Sequence, residues 1–179
     1  MNWEVISKRE LFAYKHWLKV YAEDVRLPDG RVIEGYLTAE APSWTTVVAL
    51  TPDERVVILR GYRHGPRCVT YSLPGGMLED GEDPLAGIQR ELLEETGYEA
   101  DGWEPIGSFT VGAVRGLGQA HIYLARNARQ VTQPDSGDLE ETTVELHPLG
   151  DLMAEVFAGQ VHTLNVAGVL AMASAKLKQ

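Results

Sequence analysis

Cysteine is almost missing from the 179-residue chain: Cys68 stands alone. A lone cysteine excludes an intramolecular disulfide and the stapled architecture of small secreted domains. No Cys-His pattern accompanies it, so its expected role is that of a small core residue. Positive charge is scarce as well. Sixteen Lys and Arg stand against twenty-six Asp and Glu, a formal charge of -10. That balance gives no basic footprint for nucleic acid and none for an anionic membrane surface. Long apolar runs are also lacking. Residues 1–10 carry charges and no hydrophobic stretch, so no signal peptide is expected, and residues 166–173 are too short to span a bilayer. A cytoplasmic protein that binds neither nucleic acid nor membrane is expected. The histidines (His16, His64, His121, His147, His162) show no metal-ligand spacing.

Hydrophobic residues make up 44% of the chain, enough to fill the core of one ordinary domain. There is no internal repeat, low-complexity tract or long linker. The first third reads as strands: residues 16–25 and 32–38 around the turn Leu27-Pro28-Asp29-Gly30, then 45–50 and 55–59, then 69–73 before Pro74-Gly75-Gly76. The period then changes. Asp83 can cap a helix, Pro84 suits its first turn, Leu85, Ile88 and Leu92 recur at helical spacing, and Gly97 can end it in a left-handed conformation. Strands are expected to resume at 104–110, 120–125 and 143–147, with helices at 150–157 and 164–177. Strands around a helix, with more helix at the end, predict a mixed α/β domain.

The chemistry concentrates in Gly76-Met77-Leu78-Glu79-Asp80-Gly81-Glu82 and Arg90-Glu91-Leu92-Leu93-Glu94-Glu95-Thr96-Gly97-Tyr98. Helical spacing puts Glu91, Glu94 and Glu95 on or near one face. Three carboxylates on one turn repel each other, and the cluster makes sense as hard-oxygen ligation of Mg²⁺ or Mn²⁺. Such a cation would bridge a diphosphate and activate water. An isolated E-x-x-E-E is most often a solvated acidic face. The full pattern is rarer: with roughly 7% usage per fixed residue, its seven fixed positions recur by chance in such a chain about once in a million.

This pattern resembles the Nudix box, G-x5-E-x7-R-E-U-x-E-E-x-G-U with U apolar. Gly76, Glu82, Arg90, Glu91, Leu92, Glu94, Glu95 and Gly97 match, while Tyr98 replaces the usual aliphatic residue. The resemblance implies a Nudix α/β/α sandwich with mixed β-sheets. It implies metal ligation by Glu91, Glu94, Glu95 and the Gly75 carbonyl, with Arg90 anchoring the loop-helix-loop through carboxylates such as Glu82. The flanks, Asp29-Gly30-Arg31, Val57-Ile58-Leu59-Arg60-Gly61-Tyr62-Arg63 and Leu73-Pro74-Gly75-Gly76, are similar to the ADP-sugar pyrophosphatase branch. That likeness implies an N-terminal β subdomain over residues 1–44, a hydrolase domain over 45–179, and a homodimer. Members directed at ADP-ribose usually carry a proline beyond the box, where this chain has Gly112-Ala113.

The implied reaction is hydrolysis of an ADP-sugar, such as ADP-ribose, to AMP and a sugar phosphate. Other Nudix substrates stay open (a nucleoside triphosphate, a diadenosine polyphosphate, GDP-mannose), as does a non-catalytic nucleotide sensor. In this branch a loop glutamate after the box often activates the water. Glu140 and Glu141 are the candidates here, on a Pro-, Gly- and Ser-containing segment, and Glu94 is the alternative base. Arg63 and Arg115 are candidate phosphate contacts, Arg115 on the glycine-rich stretch 110–118. That stretch could also cradle phosphate through backbone N–H groups. Trp17 and Tyr36 are expected to share one face of the hairpin and to stack on adenine across the dimer interface. Trp44 is a rival for that role.

Overall fold

The computed structural model describes residues 2–137 and 141–178. In chain order the elements are β1 Glu4–Tyr14, β2 Leu18–Arg26, β3 Val32–Glu40, β4 Trp44–Leu50, β5 Arg55–Arg63, β6 Cys68–Ser72, β7 Gly75–Met77, α1 Pro84–Thr96, β8 Tyr98–Thr110, β9 Gln119–Gln130, β10 Thr142–Pro148, α2 Leu149–Phe157 and α3 Leu164–Lys176. The chain forms two compact units, one of Met1–Trp44 with Phe109–Ala120, the other of Thr45–Ser108 with His121–Gln179.

The second unit contains the core. Its sheet runs β10-β5-β4-β9-β8, with β6 on β5 and β7 on β4. The continuous apolar runs Val47–Leu50 and Val56–Leu59 are buried along their length, as expected of strands covered on both faces. Alternate side chains divide between two clusters. Val48, Leu50, Val56, Ile58, Ile122 and Leu124 pack with Leu152 of α2 and Val166, Val169, Leu170 and Ala173 of α3. Val47, Ala49, Val57 and Ala125 pack instead with Ile88 and Leu92 of α1. The α/β/α sandwich follows from that two-residue period.

Helix α1 begins and ends through local chemistry. The Asp83 carboxylate accepts from Leu85 N and Ala86 N, both at 3.0 Å. Gly97 takes φ 74° and donates its N–H to Leu93 O at 2.8 Å. Asp83, Pro84 and Gly97 therefore act as read from sequence.

The first unit holds the three-stranded antiparallel sheet β1-β2-β3. Strand β1 was not expected, because its sequence has no apolar alternation to mark a buried face. It is a strand by pairing with β2, from Tyr14↔Leu18 to Glu4↔Arg26 with two irregularities, and all of its residues are exposed. Residues 15–17 form the connecting turn, so β2 starts later than the pattern suggested. Strand β7 replaces an expected turn, since Val47 N donates to Pro74 O at 3.1 Å beside the β7–β4 pair.

Candidate active site

Two glycines admit the backbone into contact with the helix. A Cβ on Gly76 would collide with the Glu91 carboxylate, and one on Gly75 would collide with Thr45 O and Thr46 Cα. The Gly75 N–H donates to Glu95 Oε2 at 2.8 Å. The loop-to-helix contact is therefore made of main chain against carboxylate, and at Gly75 the backbone of Thr45 and Thr46 leaves no room for a Cβ.

Arg90 is the centre of the arrangement. Its Nε and Nη2 donate to the two Glu82 oxygens at 3.1 and 3.2 Å, a bidentate pair. Its Nη1 donates to Glu91 Oε1 at 2.9 Å and to Glu94 Oε2 at 3.0 Å. The Glu82 partner above all raises the guanidinium pKa further. Reciprocally, Arg90 and then the Glu79 N–H, 2.9 Å from Oε2, hold the Glu82 carboxyl below the usual carboxylate range. Gly87 lets this loop sit on α1, because a Cβ there would press on Leu78 and the Glu82 carboxylate.

Arg90 thus gathers Glu91 and Glu94, while Glu95 is held by the Gly75 N–H. Among the described residues no three His, Cys, Asp or Glu side chains already stand as a ligand set. The hydrogen bonds from Arg90 to Glu91 and Glu94 and from the Gly75 N–H to Glu95 offset the repulsion between these carboxylates. The donor set itself, carboxylates beside a glycine backbone, is of the hard-oxygen type that suits Mg²⁺ or Mn²⁺.

The structure also shows contacts that the sequence could not. Gly97 lies against Thr132: a Cβ there would collide with Thr132 O, and Val131 and Thr132 both donate their N–H to Gly97 O, at 2.9 and 3.2 Å. Asp135 N donates to Glu94 O at 2.8 Å. The segment leading to the candidate bases is therefore tied to the C-terminal end of α1. Glu141 is exposed ahead of β10, and Glu140 lies outside the described residues. Arg63, at the end of β5, donates through Nη2 to Ser72 Oγ at 2.7 Å.

In the first unit, Tyr36 donates its hydroxyl to Val114 O at 3.0 Å and meets Trp3 edge-on, with centroids 5.6 Å apart. Trp17 sits in the β1–β2 turn beside the His16 ring, at 4.6 Å. The expected closeness of Trp17 and Tyr36 needs correction. Tyr36 pairs with Glu23, six residues beyond Trp17, which separates them by about 20 Å at the strand rise. Arg115 donates through Nη1 to Leu37 O at 2.8 Å. The 111–118 loop is closed by its own bonds: Arg115 N and Gly116 N donate to Gly112 O, and Leu117 N to Val111 O. Those amides are committed within the loop and do not form the anion cradle its glycines suggested.

Residues 42–164 match the NUDIX domain family, and residues 3–36 match the nucleoside diphosphate sugar hydrolase N-terminal domain. The chain is 28% identical over 148 residues to the ADP-ribose pyrophosphatase of Bacillus subtilis (strain 168), covering 79% of each chain. It is 34% identical over 162 residues to the CMP-5'-(N-acetyl-N-hydroxy-3-aminopropyl)phosphonate hydrolase of Streptomyces rubellomurinus, covering 87% of this chain and 75% of that one. A crystal structure of an ADP compounds hydrolase shares the fold, with a TM-score of 0.82 at 15% identity over 99% of this chain and 95% of the other. Since the domain match spans most of the chain and the box residues hold one another as described, this protein belongs to the NUDIX family of hydrolases.

Proposed function

We propose that the chain hydrolyses the diphosphate bond of an ADP-sugar, such as ADP-ribose, to AMP and a sugar phosphate. The observation that carries this reading is the meeting of Glu91, Glu94 and Glu95 with Arg90 and the Gly75–Gly76 backbone. Those carboxylates and the Gly75 carbonyl would hold Mg²⁺ or Mn²⁺, which would supply counter-charge and Lewis acidity toward a diphosphate. The protein's own groups do the rest. Arg90, clamped by Glu82, keeps the carboxylate face in register with the loop. Arg63 and Arg115 offer positive charge to phosphate oxygens. Glu140 or Glu141, with Glu94 as the alternative, accepts the proton of the attacking water. The water oxygen then bonds to one phosphorus, and the bridging P–O bond breaks to release the second phosphate.

The choice of an ADP-sugar is supported by the relative named ADP-ribose pyrophosphatase and by the N-terminal match over residues 3–36. The relative acting on a CMP-linked phosphonate favours a second reading, a nucleotide joined to something other than a sugar. We further propose that residues 1–44 form a dimerisation subdomain ahead of the 45–179 hydrolase domain. In that arrangement Trp17 of one chain and Tyr36 of another reach the base, which would remove the separation seen within one chain. The exposed Leu11, Phe12 and Tyr14 of β1 support a second copy as their cover. No helix is long and apolar enough to cross a membrane among the described residues. The lone Cys68 fits work in a reducing cytoplasm.

The deciding experiment offers ADP-ribose, ADP-glucose and a CMP-linked phosphonate in heavy-oxygen water, with and without Mg²⁺. AMP released only with Mg²⁺, with the label on one product, is the expected result. CMP release alone selects the second reading, and tight binding without turnover of any nucleotide indicates a sensor.

A further inference from the structure

We propose, on the reading that Glu141 accepts the proton of the attacking water, that Gly61 is a positioning residue for Glu141. Its missing side chain lets the Glu141 backbone seat against strand β5.

Gly61 lies inside β5 and is buried. It pairs with Thr70 of β6 on one edge and with Thr142 of β10 on the other. Its φ is outside the left-handed region, so the backbone conformation does not call for glycine. Space does. A Cβ at this position would stand 2.9 Å from the Glu141 carbonyl oxygen and 2.7 Å from the Thr142 methyl carbon. Non-bonded carbon atoms pack at about 3.5–4.0 Å, so something must move. A Cβ on Gly76 or Gly87 would meet side chains. The Glu141 carbonyl is main chain and moves only with its residue.

Support decides which side yields. Strand β5 is paired along both edges at Gly61. Its partner Thr70 is buried, and the Thr70 hydroxyl accepts from His162 N at 3.4 Å. Strand β10 begins only at Thr142, and Glu141 is exposed ahead of it. Thr143 Oγ1 donates to Arg60 O at 3.2 Å, which fastens β10 just beyond that point. An added Cβ therefore displaces Glu141 and leaves β5 in place. All of these residues belong to one compact unit.

A second tie acts upstream, where Asp135 N donates to Glu94 O at 2.8 Å. Asp135 is thus fixed to α1 and Glu141 to β5. A general base works only within hydrogen-bond reach of its proton, and a misplacement of about 1 Å can cost on the order of a hundredfold in rate. Gly61 touches no substrate in this account; it acts through the place it gives Glu141.

The test is a double-mutant cycle on ADP-ribose at saturating Mg²⁺, joined to crystal structures of the wild type and the Gly61→Ala variant. Gly61→Ala should lower kcat by about tenfold to a hundredfold and leave KM within about twofold. Glu141→Gln should lower kcat by about a hundredfold or more. Adding Gly61→Ala to Glu141→Gln should then change kcat by less than about twofold, because the group acted on is gone. Thr142→Ser, which removes the methyl and keeps the Glu141 carbonyl, should not restore the rate of Gly61→Ala. If Gly61→Ala alone fails to fold, the Gly61→Ala/Thr142→Ser pair takes its place in the cycle and in the crystals. The variant's crystal structure should show the Glu141 backbone shifted by about 1 Å, with β5 and α1 superposing on the wild type. A loss confined to KM, a full loss that persists in the Glu141→Gln background, or restoration by Thr142→Ser overturns the proposal. So does full activity of Glu141→Gln. A wild type that releases no AMP overturns the ADP-sugar reading instead, and an unmoved Glu141 backbone then still overturns the role of Gly61.

Discussion

Strands β4 and β1 are both rich in apolar residues and have opposite environments. Val47 to Leu50 of β4 are buried, between helix α1 on one side and helices α2 and α3 on the other. Strand β1 exposes Val5, Ile6, Leu11, Phe12 and Tyr14 and buries nothing. It is held by ladder hydrogen bonds and surface pairs, such as Arg26 with Glu4 at 2.6 Å and Lys8 with Glu40 at 2.7 Å. The difference teaches that the two units owe their order to different forces. One rests on hydrophobic burial within its own chain. The other rests on backbone pairing, and the apolar side chains of β1 stay exposed. The acidic helix α1 belongs to the first kind of region, where Arg90 and the Gly75 N–H offset the repulsion of its carboxylates.

The largest expected effect tests that separation of site from core. Glu95→Gln should lower maximal turnover by roughly a hundredfold or more through loss of a metal ligand, while thermal unfolding stays where it was. Turnover within about tenfold of wild type at saturating Mg²⁺ would remove Glu95 from the metal assignment.

The next compares burial directly. Ile58→Ala should cost about 2–5 kcal/mol in urea unfolding, whereas Phe12→Ala should cost under about 0.5 kcal/mol when measured on the monomer. If Phe12→Ala also weakens self-association by sedimentation, the exposed face is covered by a second copy. If both variants lose the same stability, the contrast between the strands is broken.

Acid titration sharpens the account of the Arg90 clamp. Because Arg90 depresses the Glu82 pKa, the folded state binds that proton less readily than the unfolded one. The pair's stability is fully present above the ordinary glutamate value and is lost as pH falls through the depressed one. The stability gap between wild type and Glu82→Gln should therefore be constant near neutrality and close on acidification below about pH 4.3. A gap that persists at lower pH would mean that charge is not the source.

The smallest effect belongs to the surface. Lys8→Ala should change stability by no more than about 1 kcal/mol, and less in high salt, because the pair with Glu40 is solvent-exposed. A larger loss would show that β1 depends on its ion pairs more than on its backbone ladder.

Helix α1 and its carboxylate face were legible from end to end. Asp83, Pro84 and Gly97 act within a few residues of themselves, and Glu91, Glu94 and Glu95 are neighbours by helical geometry alone. Strands β4 and β5 were legible for a related reason, since their unbroken apolar runs record cover on both faces. Strand β1 was not, because an exposed strand leaves no pattern in its side chains. Short β7 was hidden because its pairing partner, β4, is far away in sequence.

What the sequence by itself determined is the local chemistry: the capped helix and the acidic triad with Arg90 one position before it. These depend on contacts between residues close in sequence, whose geometry the backbone dictates. What only the tertiary structure decided is everything set by register and crossing. The Tyr36↔Glu23 pairing separates Tyr36 from Trp17. The passage of Thr132 over Gly97 ties the candidate-base segment to the helix end. The pairing of Gly61 with Thr142 seats Glu141 against β5. Residues on different elements meet only where packing and strand register bring them, and a shift of one residue in either would bring different side chains together.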